Sequence, residues 1–410
     1  MIKLKLIIAL FFCFLHLCLH SQNNFSVYNF LNLQENQIKN TEESEHYADI
    51  MKKITNLCLN KKQKFNVLHL GDSHLQAGYY SNEIRKNFQN YFIADSLTNL
   101  GLIFPYTAAK TNNPQNYHVQ YSGKWQSSKA VDDRKKAKQG ITGITLYTND
   151  SSASLTISLN NYYPIKNYSF NHTKIFCNYP DSTYNIHISP EAQVQKNNST
   201  LEVAFDSLTD SIQIHIEKTN HSDTTHFELS GLTLSNTKHS FSYHATGVNG
   251  AKAESYLKCT LFDKQVQSLS PDWVVISLGT NEAYTENYKR KEFQQNLTTL
   301  IQKIRNNTNS CWILLTTPGD ALHSGKLRNP NNQLVRQDII KVANNMNCSY
   351  WDFFAVMGGE NSIDSWHSSE LTAKDKLHLN KKGYLLKANL FFDAFLNSFQ
   401  PFFSPKTNKE

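Results

Sequence analysis

Paired cysteines are missing from this sequence. Of its seven cysteines, Cys13 and Cys18 lie in the first 21 residues; Cys58, Cys177, Cys259, Cys311 and Cys348 are scattered, odd in number and never spaced C-x-x-C. That pattern excludes a disulfide framework and a cysteine zinc site, and it leaves thiols such as Cys311, in the run CWILL, as small core residues. Basic runs with interleaved aromatics are also absent. The densest, Asp133 to Lys138, is short, and the net charge of +7 is diffuse, so a nucleic-acid partner is not expected. No apolar run reaches the length of about 20 residues that a membrane span requires. An amphipathic lid of the kind that handles lipid is not seen, and no fixed-period repeat is found.

What remains is the composition of a folded chain. With 410 residues, 40% hydrophobic and 18% charged, there is enough sequence for two domains or for one large domain carrying an insertion. The first 21 residues read as an export signal. Lys3 and Lys5 form the positive end, Leu6 to Leu19 the apolar stretch, and Ser21 a small residue before a cleavage point. The expected mature protein is exported to the periplasm or beyond, with no stable membrane anchor.

Residues 22–63 read as an amphipathic helical lead-in. From Phe65 to Leu70 a continuous apolar run suits a buried parallel strand, and Ser81 to Phe92 has helical spacing. Strand and helix then alternate from Trp273 onward: Trp273–Leu278, Asn287–Ile304, Cys311–Thr316, Gln333–Ala343, Tyr350–Phe353 and Asn380–Phe399. Such alternation predicts an α/β domain with a parallel sheet. Between Ile141 and Leu234 the period changes to two, in SLTISL, YNIHI, LEVAF, SIQIHIE and HFELSGLTLS, which predicts an antiparallel β-sandwich. The expected division is therefore 64–132 with 240–400 for the α/β domain, and 133–239 for an inserted module.

Open α/β sheets bind ligands beyond the carboxyl ends of their strands. Four loops fall at such ends: Gly71-Asp-Ser-His74, Gly247-Val-Asn-Gly250, Gly279-Thr-Asn-Glu282 and Asp375-Lys-Leu-His378. A serine hydroxyl needs a neighbouring base to become a nucleophile, and an imidazole base needs a carboxylate to hold its tautomer. Ser73, His378 and Asp375 supply those residue types. The backbone N–H groups of Ser73 and Gly250 and the Asn281 amide are suitable donors for an oxyanion. Glycine at 250 is expected because a side chain there would crowd a substrate.

These four blocks, in this order, resemble those of the SGNH/GDSL hydrolases, a family of serine esterases. Its Ser, Gly, Asn and Asp-x-x-His are matched by Ser73, Gly250, Asn281 and Asp375 with His378, over roughly 64–125 and 240–400. The resemblance implies a flavodoxin-like three-layer α/β/α fold that uses no metal or other cofactor. Histidine at position 74 is similar to the variant found in peptidoglycan O-acetylesterases of this superfamily. Those proteins also carry a β-sandwich, akin to carbohydrate-binding modules, between the first two blocks. His74 itself reads as structural or substrate-facing; it is adjacent to Ser73 and diverges from it on a turn, so it is not expected to be the base. A second Asp-x-x-His, Asp364 to His367, competes with Asp375/His378. The later pair is preferred because Asn380 can cap the helix that follows. Tyr106 and Trp125 could stack on a sugar or pack into the core, with the core favoured.

The expected function is removal of O-acetyl groups from a glycan, with O-acetylated peptidoglycan as the leading substrate and another polysaccharide as the alternative. Two other functions remain open: acetyl transfer to a glycan through the same serine, and glycan binding by a protein whose hydrolase domain is vestigial.

Overall fold

The computed structural model describes residues 25–58, 64–92, 98–133, 136–160, 168–179, 182–197, 199–219 and 224–399. The proposed export signal lies outside the described residues. Among those described, no helix is long and apolar enough to cross a membrane.

A seven-stranded sheet forms the middle layer. From one edge its strands are Ile38–Lys39, Ser349–Trp351, Trp312–Thr316, Trp273–Ser277, Phe65–Gly71, Phe241–Gly247 and Thr98–Asn99. All pairings are parallel except that of Ile38–Lys39. With the two short edge strands set aside, the chain-order sequence across the sheet is 2-1-3-4-5, the flavodoxin-like order. Its reversal point lies between Phe65–Gly71 and Trp273–Ser277, so a crevice opens where these two strands end.

The strands are apolar on both faces because helices cover both. Val67, Trp273, Val275, Trp312 and Leu314 point into one core, with Phe88 from the helix Tyr79–Phe92 and Phe391 and Phe395 from the helix Lys381–Phe399. The Trp273 and Trp312 rings stack at 4.8 Å. Leu68, Leu70, Val274, Ile276 and Leu315 point the other way, toward Phe293, Leu297, Leu300, Val335 and Ile339. That second core continues without a break into the β-rich module, through Ile144, Leu146, Leu155 and Leu232.

The module consists of two antiparallel sheets. One has four strands, Tyr184–Ser189, Ser211–Lys218, Ser152–Leu159 and Tyr117–Ser122. The other runs Gln193–Asn197, Thr200–Thr209, Phe170–Asn178, Phe227–Ser235, Ile144–Thr148 and Gln126–Lys129, and Gly101–Ile103 also pairs with Phe227–Ser235.

Two expectations are corrected. The module begins near Gly101, not at 133, since Gly101–Ile103, Tyr117–Ser122 and Gln126–Lys129 all pair within it. The described part of the charged run, 132–133 and 136–138, lies between two of the module's own strands, Gln126–Lys129 and Ile144–Thr148. The lead-in 22–63 is not one helix. Its described residues hold the α-helix Tyr47–Cys58 and two short 3-10 turns, Phe25–Val27 and Leu33–Glu35, and Ile38–Lys39 adds an antiparallel edge strand against Tyr350 and Trp351.

Candidate active site

Ser73 is the first residue of a single helical turn, Ser73–Gln76, that starts as the strand Phe65–Gly71 ends. Asp72 caps that turn, its Oδ1 accepting from the His74 N–H at 2.9 Å. As the first helical residue, Ser73 has a backbone N–H with no partner inside the helix.

The Asp-x-x-His loop approaches from the other end of the chain. Asp375 Oδ1 accepts from the N–H groups of Leu377 and His378, each at 3.0 Å, and Lys376 takes a left-handed φ of 48°. This tight turn brings His378 Nδ1 to 2.7 Å from Asp375 Oδ2 and Nε2 to 2.9 Å from Ser73 Oγ. A carboxylate only accepts, so Nδ1 carries the imidazole proton and Nε2 is left to accept from the serine hydroxyl. Burial pushes the Asp375 carboxyl up, but the hydrogen bonds from the His378 ring and from the two backbone N–H groups outweigh it and hold the group below its ordinary value. An ionised carboxylate, an oriented imidazole and a serine hydroxyl thus form one hydrogen-bonded chain.

The glycine and asparagine blocks arrive from the neighbouring strands. The Ala251 N–H donates to Val248 O at 2.9 Å, with Gly250 as third residue at φ 82°, as in a type II turn. A Cβ added at Gly250 would meet nothing within 4 Å. The backbone angle favours glycine there, and the space beside it is open for a substrate. The Asn281 amide donates to Ala251 O at 2.9 Å and lies 3.4 Å from Asp72 Oδ2. Glu282 ties the same two blocks together, accepting from the Ala253 N–H at 2.8 Å. Burial pushes its carboxyl up to about 7.

His74 is tied to the closing helix. Its Nδ1 is hydrogen-bonded to the Tyr384 hydroxyl at 2.9 Å, and its ring lies 5.1 Å from that of His378. Burial, with the nearby Lys387 charge, holds it well below its ordinary value, so it is neutral. The competing motif is spent elsewhere. Asp364 pairs with Arg328 and, at 3.3 Å, with Lys376, while His367 Nδ1 bonds Thr372 Oγ1 at 2.7 Å. Asn380 Oδ1 accepts from the Gly383 N–H at 3.0 Å, at the start of the last helix. Tyr106 and Trp125 are buried. The Tyr106 hydroxyl donates to Gly247 O at 3.0 Å, and the Trp125 indole N–H donates to Ser122 O at 2.9 Å. Neither is available to stack on a sugar.

Three contributors went unnoticed in the sequence. Gln76 Oε1 accepts from the Asn249 N–H at 2.9 Å, and its amide donates to Thr111 and Asn112, so it fastens the glycine block to the 106–114 loop. His69 bridges Tyr243 and Ser277 beneath the strand ends, at 2.8 and 2.7 Å. Lys387 is 6% exposed within the apolar closing helix. A lysine inside a run such as YLLKANLFF was the one available sign of it.

A scan against family models finds the GDSL-like lipase/acylhydrolase family over residues 206–386, which takes in Gly250, Asn281, Asp375 and His378. Over that span the chain is similar to this family. The matched span omits Ser73, which the intervening β-module separates from the other blocks of the GDSL-like domain. No curated protein sequence matches the chain. Among solved structures, a peptidoglycan O-acetylesterase superposes with a TM-score of 0.71 at 20% identity, over 86% of this chain and 96% of that one. The likeness therefore extends to the β-module together with the GDSL-like domain. An acetylxylan esterase from Geobacillus stearothermophilus matches 40% of this chain and 74% of its own, at 20% identity and a TM-score of 0.31. Among the described residues no cluster of side chains suits a metal ion.

Proposed function

We propose that the protein is an exported serine esterase that removes O-acetyl groups from a glycan, with O-acetylated peptidoglycan as its substrate. The observation that carries this reading is the hydrogen-bonded chain from Ser73 through His378 to Asp375, set at the reversal point of the sheet. The overall likeness to a peptidoglycan O-acetylesterase, β-module included, supports the choice of glycan. Export rests on the basic and apolar pattern of residues 1–21.

In this mechanism Ser73 Oγ attacks the acetyl carbonyl carbon as its proton passes to His378 Nε2. The Asp375 carboxylate stabilises the imidazolium and remains ionised itself. The carbonyl oxygen becomes an oxyanion facing the N–H groups of Ser73 and Gly250 and the Asn281 amide. Asn281's 3.4 Å contact with Asp72 is long for a hydrogen bond, so that N–H can turn to the incoming oxygen. Collapse breaks the ester bond, and the sugar oxygen leaves with the proton from His378. Water then repeats the sequence on the acetyl-serine, releasing acetate and restoring Ser73.

The test compares acetate release from O-acetylated peptidoglycan and from acetylated xylan by wild type and Ser73→Ala. Loss of the serine should lower kcat on the order of 10⁴–10⁶-fold. Equal release by the two proteins would remove the serine mechanism. Release from xylan alone would move the substrate to another polysaccharide. Recovery of acetylated glycan in place of free acetate would identify a transferase.

A further inference from the structure

Lys387 has no role in the chemistry described so far, yet its position is costly. It lies in the helix Lys381–Phe399 with 6% of its surface exposed. Among the described residues its ammonium donates no hydrogen bond. It faces the Phe353 and Tyr80 rings, 4.3 and 4.9 Å from their centroids. Taking an ammonium out of water without a hydrogen-bonding partner is strongly unfavourable, so some group nearby must compensate for the charge.

A small cavity with room for water adjoins it. Asp72, His74, Thr280 and Asp320 line this space along with Lys387. His74 is neutral. Asp320 is already held by the Asn332 amide at 3.3 Å and the Ile363 N–H at 3.2 Å. Asp72 is the remaining anion, and it is buried with 1% exposure. Its Oδ1 caps the Ser73 turn through the His74 N–H, and its Oδ2 faces the Asn281 amide. Each of these contacts uses Asp72 as an acceptor. A protonated carboxyl would present an O–H toward donors and lose one of them.

We infer that Lys387 is a positioning residue: across this cavity its ammonium keeps Asp72 ionised, and the carboxylate in turn holds the Ser73 turn and the Asn281 amide in register. The inference rests on the esterase reading and goes further, extending the site to a charge one layer beneath it. The opposing effects of burial on the two groups agree with such coupling. Asp72 is pushed up to about 6 against the pull of the Lys387 charge, and Lys387 is pushed down to about 8 against that of Asp72.

The experiment is a double-mutant cycle on the full chain with 4-nitrophenyl acetate, a small ester that makes no glycan contacts. Lys387→Met keeps the packing on Tyr80 and Phe353 and removes the charge. Its kcat should fall at least about tenfold with KM within about twofold, because register is lost at the oxyanion donors and not in substrate binding. Thermal stability should fall at neutral pH, because the buried Asp72 carboxylate is left without its compensating charge, and the fall should be smaller in the Asp72→Asn background. In an Asp72→Asn background Lys387→Met should cost nothing further, because the carboxylate it acts on is gone. Lys387→Leu repeats the measurement with a different apolar shape. An unchanged kcat, the same loss in both backgrounds, or failure of both variants to fold would each overturn the inference. Undiminished activity in Ser73→Ala would instead strike the esterase reading.

Discussion

At Ser73 three short contacts decide the chemistry: a hydroxyl on Nε2, an N–H on a carboxylate, and a capping aspartate behind them. Asn281 lies outside that chain and, in the proposed mechanism, offers one amide N–H to the oxyanion, so Asn281→Ala tests that donor. Its kcat should fall on the order of 10²–10³-fold with little change in KM, measurable by steady-state ester hydrolysis. Asp72 makes a prediction in the opposite sense, about stability. In the folded chain it holds its proton up to about pH 6, whereas an unfolded aspartate releases it near pH 4. The folded state therefore binds the extra proton between those values, and wild type loses stability relative to Asp72→Asn as pH rises from about 4 to about 6. Urea midpoints across that range check it, and a constant difference between the two proteins would contradict it. Ser73, Asn281 and His378 were legible because each sits in a short motif with its own turn chemistry. Lys387 was not, because its partner Asp72 lies more than 300 residues away in the chain.

At the level of elements, the site is assembled from strand ends and the turns that follow them. Gly250 is one such turn, and its φ of 82° is the reason for its identity. Gly250→Ala meets open space, so only the backbone strain counts, and it should destabilise folding by about 1–2 kcal/mol in urea unfolding. The two Asp-x-x-His motifs show what local sequence can and cannot resolve. Both have the right residues at the right spacing. Only Asp375 lies on an irregular turn whose N–H groups close onto its own carboxylate, while Asp364 and His367 lie on the helix Ser362–Ser368 and are taken up by Arg328, Lys376 and Thr372. The parallel strands were legible as unbroken apolar runs, and the module strands as period-two alternation. Tyr117–Ser122 alternates as clearly as the others, but the charged run that follows drew the expected boundary past it.

Across the whole molecule the β-module and the α/β domain share a core. The cluster that begins at Leu68 and Leu70 runs through Leu102 and Ile103 to Leu155 and Ile216 as one body of apolar contacts. Buried polar contacts reinforce it, with the Gln265 side chain accepting from the Ile141 N–H and donating to Ser230 Oγ, both at 2.8 Å. Calorimetry should therefore give one cooperative unfolding transition; two resolved transitions would show that the module is energetically separate. The amino-acid order alone determined the alternation of strands and helices, the period of the module and the four blocks. Those features depend on residues a few positions apart, where backbone angles and side-chain periodicity act directly. Which blocks meet, which Asp-x-x-His is used, where the module begins and what lies beneath the serine were decided only by tertiary structure. Each of these is a contact between distant segments, set by packing and burial.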